Sequence, residues 1–171
     1  MSITEIDGMR VRHPVPDDHA RVLRVLDRWW GEFEGSAGSV QRALLLPRLY
    51  FQHFTTGSFL VERDGELAAF LIGFLSQTRG DESYIHFVGV APEEQRHGLG
   101  GFLYGQFFAY SRTHGRSVVR AITSAANAGS YAFHTRMGFT AEEGPREVDG
   151  RPVQPDYDGP GLDRVAFVRS I

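Results

Sequence analysis

Three glycines in the stretch "QRHGLGGF", Gly98, Gly100 and Gly101, stand between a β-like segment and an aromatic, helix-like one. That setting suits anion chemistry. Glycines let backbone amides converge, and a helix N-terminus behind them adds positive potential for a phosphate. Two specific phosphate patterns do not fit. A P-loop needs Lys and then Ser or Thr after its last glycine, where this chain has Phe102. A dinucleotide fingerprint opening at Gly98 needs its third glycine at 103, which is Leu103. Taken alone, the string also reads as an ordinary strand-to-helix turn, so its context has to decide. Metal chemistry is not expected: the histidines at 13, 19, 53, 97 and 114 lack ligand spacing, and the absence of cysteine removes thiolate ligands, disulfides and a cysteine nucleophile together.

The elements that must position this turn are legible from periodicity. "MRVRHPV" (9–15) alternates like a strand, and 16–33 opens with Pro and Asp before spacing Val22, Leu23, Leu26 and Trp30 helically. A second helix is expected within 39–54. Residues 58–63 and 66–77 flank Asp64-Gly65 and read as a hairpin with a primed turn. Residues 82–90 form the next strand, in which Gly89 marks a bulge or a close approach of other atoms. After the glycine turn, 101–115 is a helix with Leu103, Phe107, Tyr110 and His114 on one stripe, and 117–123 is a strand. A helix over 127–137 follows, with Asn127 as N-cap and Gly138 past its end. "GFTAEE" begins a strand, 144–161 is a long Gly/Pro-rich loop, and 163–171 is the last strand. Hairpins followed by alternating strands and helices predict an α/β (α+β) fold, a mixed sheet flanked by helices.

Composition narrows the function classes. The 171 residues suit a single domain over 1–171, with 42% hydrophobic and 23% charged residues as in ordinary globular proteins. A net charge of -3 gives no basic footprint for nucleic acid, and the longest apolar run, "LAAFLIGFL", is too short to span a bilayer. A soluble, cytoplasmic protein that binds neither nucleic acid nor membrane is expected, with a homodimer left open.

"VGVAPEEQRHGLG" followed by "NAGSYAFHTRMGF" resembles the GNAT superfamily of acyl-CoA-dependent N-acetyltransferases, with the motifs covering roughly residues 57–142. The family's Gln/Arg-x-x-Gly-x-Gly/Ala pattern is met by Gln95, Gly98 and Gly100. Its second element is met by Asn127, Ser130, Phe133, Gly138 and Phe139. The resemblance implies a mostly antiparallel sheet splayed at its centre and acetyl-CoA as co-substrate. It further implies a pyrophosphate held by the amides from Arg96 through His97, Gly98, Leu99 and Gly100 to Gly101. Val88 and Val90 would pair with pantetheine as if it were a strand, with Asn127, Ser130 and Phe133 contributing from elsewhere; Asn127 can equally be a plain helix cap.

The implied reaction is direct attack by a primary amine on the thioester in a ternary complex. It needs an uncharged amine, an oxyanion donor and a proton for the thiolate. The Val88 N–H is the candidate oxyanion donor. Where the family's glutamate base is usual, this chain has Tyr84; His86 shares its face and carries an imidazole, with an ordinary pKa of about 6.5. Where many members have a general-acid tyrosine, this chain has His134, which would donate the proton or orient the thiol, with Tyr131 one turn away as the other donor. The acceptor is expected to be a small cationic amine, met by Trp29, Trp30, Glu32, Tyr157 and Asp158, although such tryptophans are commonly core residues and such acids commonly solvated. Competing readings are an acetyltransferase for protein N-termini or lysines, a weakly catalytic acyl-CoA sensor, and an unrelated nucleotide-binding domain.

Overall fold

The computed structural model describes residues 4–31 and 35–171. They form two compact units, one of residues up to Phe74 with Ile85–Tyr110, the other of Leu75–Tyr84 with Ser111–Ile171. The architecture is α/β with antiparallel pairing throughout the registered strands.

In the first unit, β1 (Thr4–Ile6), β2 (Met9–Arg12), β3 (Phe59–Arg63) and β4 (Glu66–Leu75) are neighbours in that order, followed by β5 (Glu82–Val90), which belongs to this unit from Ile85 on. The β3–β4 hairpin turns at Asp64-Gly65, with φ of 51° and 83°, the conformation that a primed turn requires. The same dipeptide at Asp7-Gly8 closes β1 onto β2, a pairing that the alternation of 9–15 alone did not announce. A register shift opposite Val61 and Glu62 leaves Ala68 as the extra residue of β4. Its carbonyl accepts the N–H of Ala91, at 2.9 Å, where the chain leaves β5.

Helix α1 (Asp18–Trp30) buries Val22, Val25, Leu26 and Trp29, a stripe rotated from the expected one: Trp29 is the core tryptophan, while Leu23 and Trp30 are only partly covered. These side chains pack with Leu60, Phe70 and Ile72 of the sheet and with Leu46 and Phe51. The single helix expected within 39–54 is two, α2 (Gly35–Leu44) and α3 (Leu49–His53). Pro47 explains the break, because it has no N–H to continue the ladder and disfavours helical geometry in the residue before it. Helix α4 (Leu99–Thr113) buries Leu103, Tyr104, Phe107 and Phe108; Tyr110 is half-buried and bonds Thr56, and His114 is exposed, so the expected stripe fails in its last turn.

The start of α1 is held by four charges. Arg12 donates to Asp18 at 2.6 and 2.8 Å and to Glu62 at 2.8 and 3.0 Å, and Arg21 donates to the same carboxylates at 2.9 and 2.6 Å. Burial pushes both carboxyl pKa values up, but the guanidinium hydrogen bonds outweigh it and hold both below their ordinary values.

In the second unit, β6 (Val118–Thr123) pairs along its length with β10 (Val165–Ser170), which also pairs with β7 (Thr140–Ala141). Helix α5 (Ala128–Arg136) is capped as expected, Asn127 Oδ1 accepting the Ser130 N–H at 2.9 Å, and Gly138 follows it with a φ of 79°. The loop expected over 144–161 contains a hairpin instead, β8 (Arg146–Val148) and β9 (Arg151–Val153), turned by a third Asp-Gly pair at 149–150. His134 belongs to this unit's core, only 3% exposed and stacked on Phe167 at 4.7 Å and 9°. Burial lowers its pKa below the usual 6.5, against the raising effect of its bond to the Ser130 carbonyl.

Two pH windows follow. A histidine with a depressed folded pKa binds fewer protons folded than unfolded, so its contribution falls as pH drops through 6.5 toward the folded value. His134→Phe should therefore flatten stability between pH 7.5 and 5 relative to the parent; parallel denaturant midpoints would contradict this. The Asp18 and Glu62 contribution is complete above about pH 4.5 and is lost only as pH falls through their lowered values. At neutral pH, Glu62→Ala leaves two half-buried guanidinium groups sharing one carboxylate and should cost about 1–3 kcal/mol, measured by chemical denaturation.

Candidate active site

In the first unit the end of β5 leads through Ala91 and a 3-10 turn (Pro92–Glu94) into the glycine turn and α4. Arg96 and Gly98 take positive φ, 71° and 79°, and the chain from Gln95 to Gly98 is exposed. The Phe102 N–H closes the first helical bond on the Gly98 carbonyl at 2.9 Å. The amides of Leu99, Gly100 and Gly101 therefore lie in the first helical turn, where N–H groups have no acceptor inside the helix. A Cβ built on Gly101 meets nothing within 4 Å, so the surface of that turn is open. The turn is pinned by an interaction that motif reading missed. Glu94 accepts from Arg63 of β3 at 2.7 and 3.2 Å, and His97 Nδ1 lies 3.2 Å from the same carboxylate. Arg63 hydrogen bonds lower the Glu94 pKa, which keeps the latch charged. These features fit a phosphate-bearing cofactor.

Val88 and Val90 are half-buried on β5 on either side of Gly89. Gly89 is required by close approach: a Cβ there would lie 2.7 Å from the Phe70 ring and 2.8 Å from that of Trp30. His86 and Tyr84 are both half-buried and two residues apart on the strand. The His86 ring stacks on Tyr50 at 4.5 Å and 18°, and its Nε2 is 2.5 Å from the Leu45 carbonyl. A carbonyl only accepts, so Nε2 carries the proton and, in the neutral ring, Nδ1 is the basic atom.

In the second unit, His134 has the opposite tautomer. Its Nδ1–H donates to the Ser130 carbonyl at 2.8 Å, and Ser130 Oγ is 3.3 Å from the same nitrogen. A neutral imidazole with that proton already committed is a poor acid, which weighs against the proton-donor role. Tyr131 is half-exposed, with the Arg151 guanidinium 5.2 Å from its ring centroid; Arg151 also donates to the Ala125 carbonyl. Phe133 is half-buried beside His134.

The acceptor residues fare unevenly. Trp29 stacks on Phe70 at 5.7 Å and is 7% exposed, so its ring belongs to the core rather than to a substrate surface. Trp30 is half-buried with its edge on Phe87, and Tyr157 is 49% exposed. Asp158 is paired with Arg164 at 2.7 Å, which removes it as an uncommitted charge for a cationic amine. Glu32 lies outside the described residues. Among the described residues no group of three or more acidic or histidine side chains could hold a metal, and no helix is long and apolar enough to cross a membrane.

Comparison with known proteins agrees with this geometry. No curated protein matches the sequence. A GNAT-family protein structure from Desulfovibrio desulfuricans superposes with a TM-score of 0.72 at 22% identity, covering 95% of this chain and 98% of the other. The ribosomal-protein-S18-alanine N-acetyltransferase from Escherichia coli gives 0.66 at 19% identity, covering 95% and 94%. The yncA protein of Salmonella typhimurium, solved with its cofactor acetyl-CoA, gives 0.62 at 17% identity, covering 96% and 94%. At these identities the likenesses establish the fold. The profile of the Acetyltransferase (GNAT) family matches residues 22–139, more than half of the chain. With its glycine turn and its fold in agreement, the chain belongs to the GNAT family of acetyltransferases, enzymes that use acetyl-CoA.

Proposed function

We propose that residues 1–171 act as one N-acetyltransferase domain that passes the acetyl group of acetyl-CoA to a primary amine of a small molecule, by direct attack in a ternary complex. The observation that carries this reading is the latched turn: Arg63 and Glu94 pin a segment whose Arg96–Gly101 amides run into the open first turn of a 15-residue helix. Such a helix start favours a diphosphate through its N–H groups and its dipole. In this reading Gln95, Arg96, His97, Gly98, Leu99, Gly100 and Gly101 surround the pyrophosphate, and Val88 and Val90 offer backbone groups to pantetheine. Asn127 and Ser130 contribute from α5, where the Asn127 carbonyl oxygen serves the helix cap and its amide nitrogen makes no hydrogen bond to the described residues.

The chemistry then needs little else from the chain. His86 takes a proton from the attacking amine. The amine nitrogen forms its bond to the acetyl carbon, the Val88 N–H stabilises the oxyanion, and the C–S bond breaks with its electron pair on sulfur. Tyr131 is better suited than His134 to protonate the thiolate, since its hydroxyl makes no hydrogen bond to the described residues while the His134 Nδ1 proton is already given to Ser130. Tyr84 has a lesser part as a neighbour of the base on its strand. Trp30 and Tyr157 remain the acceptor contacts of this reading.

Two measurements test it. Gly100→Val should weaken acetyl-CoA binding by about tenfold or more, as expected for losing one charge-assisted contact of about 1.5–3 kcal/mol, while Gly105→Ala, further along α4 in open space, should leave binding intact. Calorimetry giving equal affinities for both folded variants would remove the phosphate assignment. His86→Ala should lower kcat by about 10²–10⁴ with acetyl-CoA affinity unchanged, and Tyr84→Phe should lower it less. Thiol release across a panel of amines is the assay, and parent-level turnover in His86→Ala would rule out this base.

A further inference from the structure

The break between α2 and α3 has a chemical consequence at β5. A continuous helix would pair the Leu45 carbonyl with the N–H of residue 49, but Pro47 interrupts the ladder and α3 starts afresh at Leu49. The carbonyl left over is the one that His86 Nε2 meets at 2.5 Å. Five residues on, Tyr50 lies nearly parallel to the imidazole, and its own ring is held by Phe54 at 5.4 Å and Phe74 at 6.3 Å, which are themselves 5.6 Å apart. One short segment therefore supplies both an acceptor that selects the tautomer and a flat face that sets the ring plane.

Resting on the reading of His86 as the base, we propose that the Leu45 carbonyl and Tyr50 are positioning groups that hold His86 in its Nε2–H form, so that Nδ1 is the atom that takes the proton of the amine. The proton moves from the amine nitrogen to Nδ1 as the nitrogen's electron pair forms the C–N bond and the C–S pair departs with sulfur. The resulting imidazolium keeps its Nε2–H on Leu45, so the carbonyl also stabilises the charge that the step creates. Tyr50 touches neither the amine nor the thioester in this scheme and acts only through His86. The arrangement parallels the orienting partner of a metal-bound or catalytic histidine, whose loss typically costs about 10–100-fold.

Nitrogen-15 NMR of the labelled 171-residue chain reads the tautomer directly, with the His86 resonances identified by their disappearance in His86→Gln. At a pH where the ring is neutral, the expected pattern is a protonated Nε2 and an unprotonated Nδ1. Tyr50→Leu should move these resonances toward a tautomer average and lower kcat by about tenfold at unchanged acetyl-CoA KM, while Tyr50→Phe, which keeps the ring, should restore both. A protonated Nδ1 in the parent overturns the proposal even if acetyl transfer is robust, and so does a Tyr50→Leu enzyme with parental resonances and parental kcat. If Tyr50→Leu does not fold, the parent spectrum and Tyr50→Phe still decide. Undiminished turnover in His86→Gln would instead strike the base assignment itself, which separates failure of that reading from failure of this one.

Discussion

The network of Arg12, Asp18, Glu62 and Arg21 is the constraint on which the first unit depends. Taking two carboxylates out of water is expensive, and their attraction to the half-buried guanidinium groups offsets that only when every acceptor is well occupied. Here it is: Asp18 receives both guanidinium groups and the Val15 N–H, and Glu62 receives both guanidinium groups. The residues come from β2, α1 and β3, so satisfying them admits one placement of the start of α1 on the sheet. At its other end α1 then delivers Trp29 onto Phe70 and Trp30 against Phe87, so closely that position 89 has no room for a side chain. The strand end that carries Val88 and Val90 is thereby shaped by charges at the far end of a helix.

Strand β3 links this network to the glycine turn. Glu62 points into the charge cluster, and the next residue, Arg63, reaches the opposite way to Glu94, as the two faces of a strand dictate. The bulge of β4 opposite Glu62 adds a third tie, because the carbonyl of the extra residue, Ala68, holds the N–H of Ala91. Both ties hold the chain just before the glycine turn, which suits the anion-binding role proposed for it, since a misplacement of about 1 Å is costly in preorganised sites.

The contrast between His86 and His134 shows how little the residue type decides. Each donates one ring N–H to a backbone carbonyl, but through opposite nitrogens, and one ring lies on a half-buried tyrosine while the other is sealed between aromatic rings. The sealed ring is kept neutral by burial and works as a packing residue with a polar handle. That is why, in the proposed reading, the position matching the family's usual tyrosine acid is given no proton-donor role, although the motif points to it.

Much of the architecture was legible because its causes are local. The Asp64-Gly65 hairpin, the extent of β5, the Asn127 cap and Gly138 past α5 follow from turn chemistry and periodicity over a few residues, and the two motifs together, Gln95, Gly98 and Gly100 with Asn127, Ser130, Phe133, Gly138 and Phe139, carry the resemblance to the GNAT family. The Asp-Gly pairs at 7–8 and 149–150 carried the same signal but were surrounded by weaker alternation, so β1 and the β8–β9 hairpin went unread. What only the tertiary structure decided are relations between residues far apart in the chain: Glu94 with Arg63, Leu45 and Tyr50 with His86, Asp158 with Arg164, and which of two adjacent tryptophans is buried. Those depend on where backbones meet and which charges are already paired. A list of residue types cannot contain that information, because the free energy of a buried polar group is set by its partners rather than by its identity.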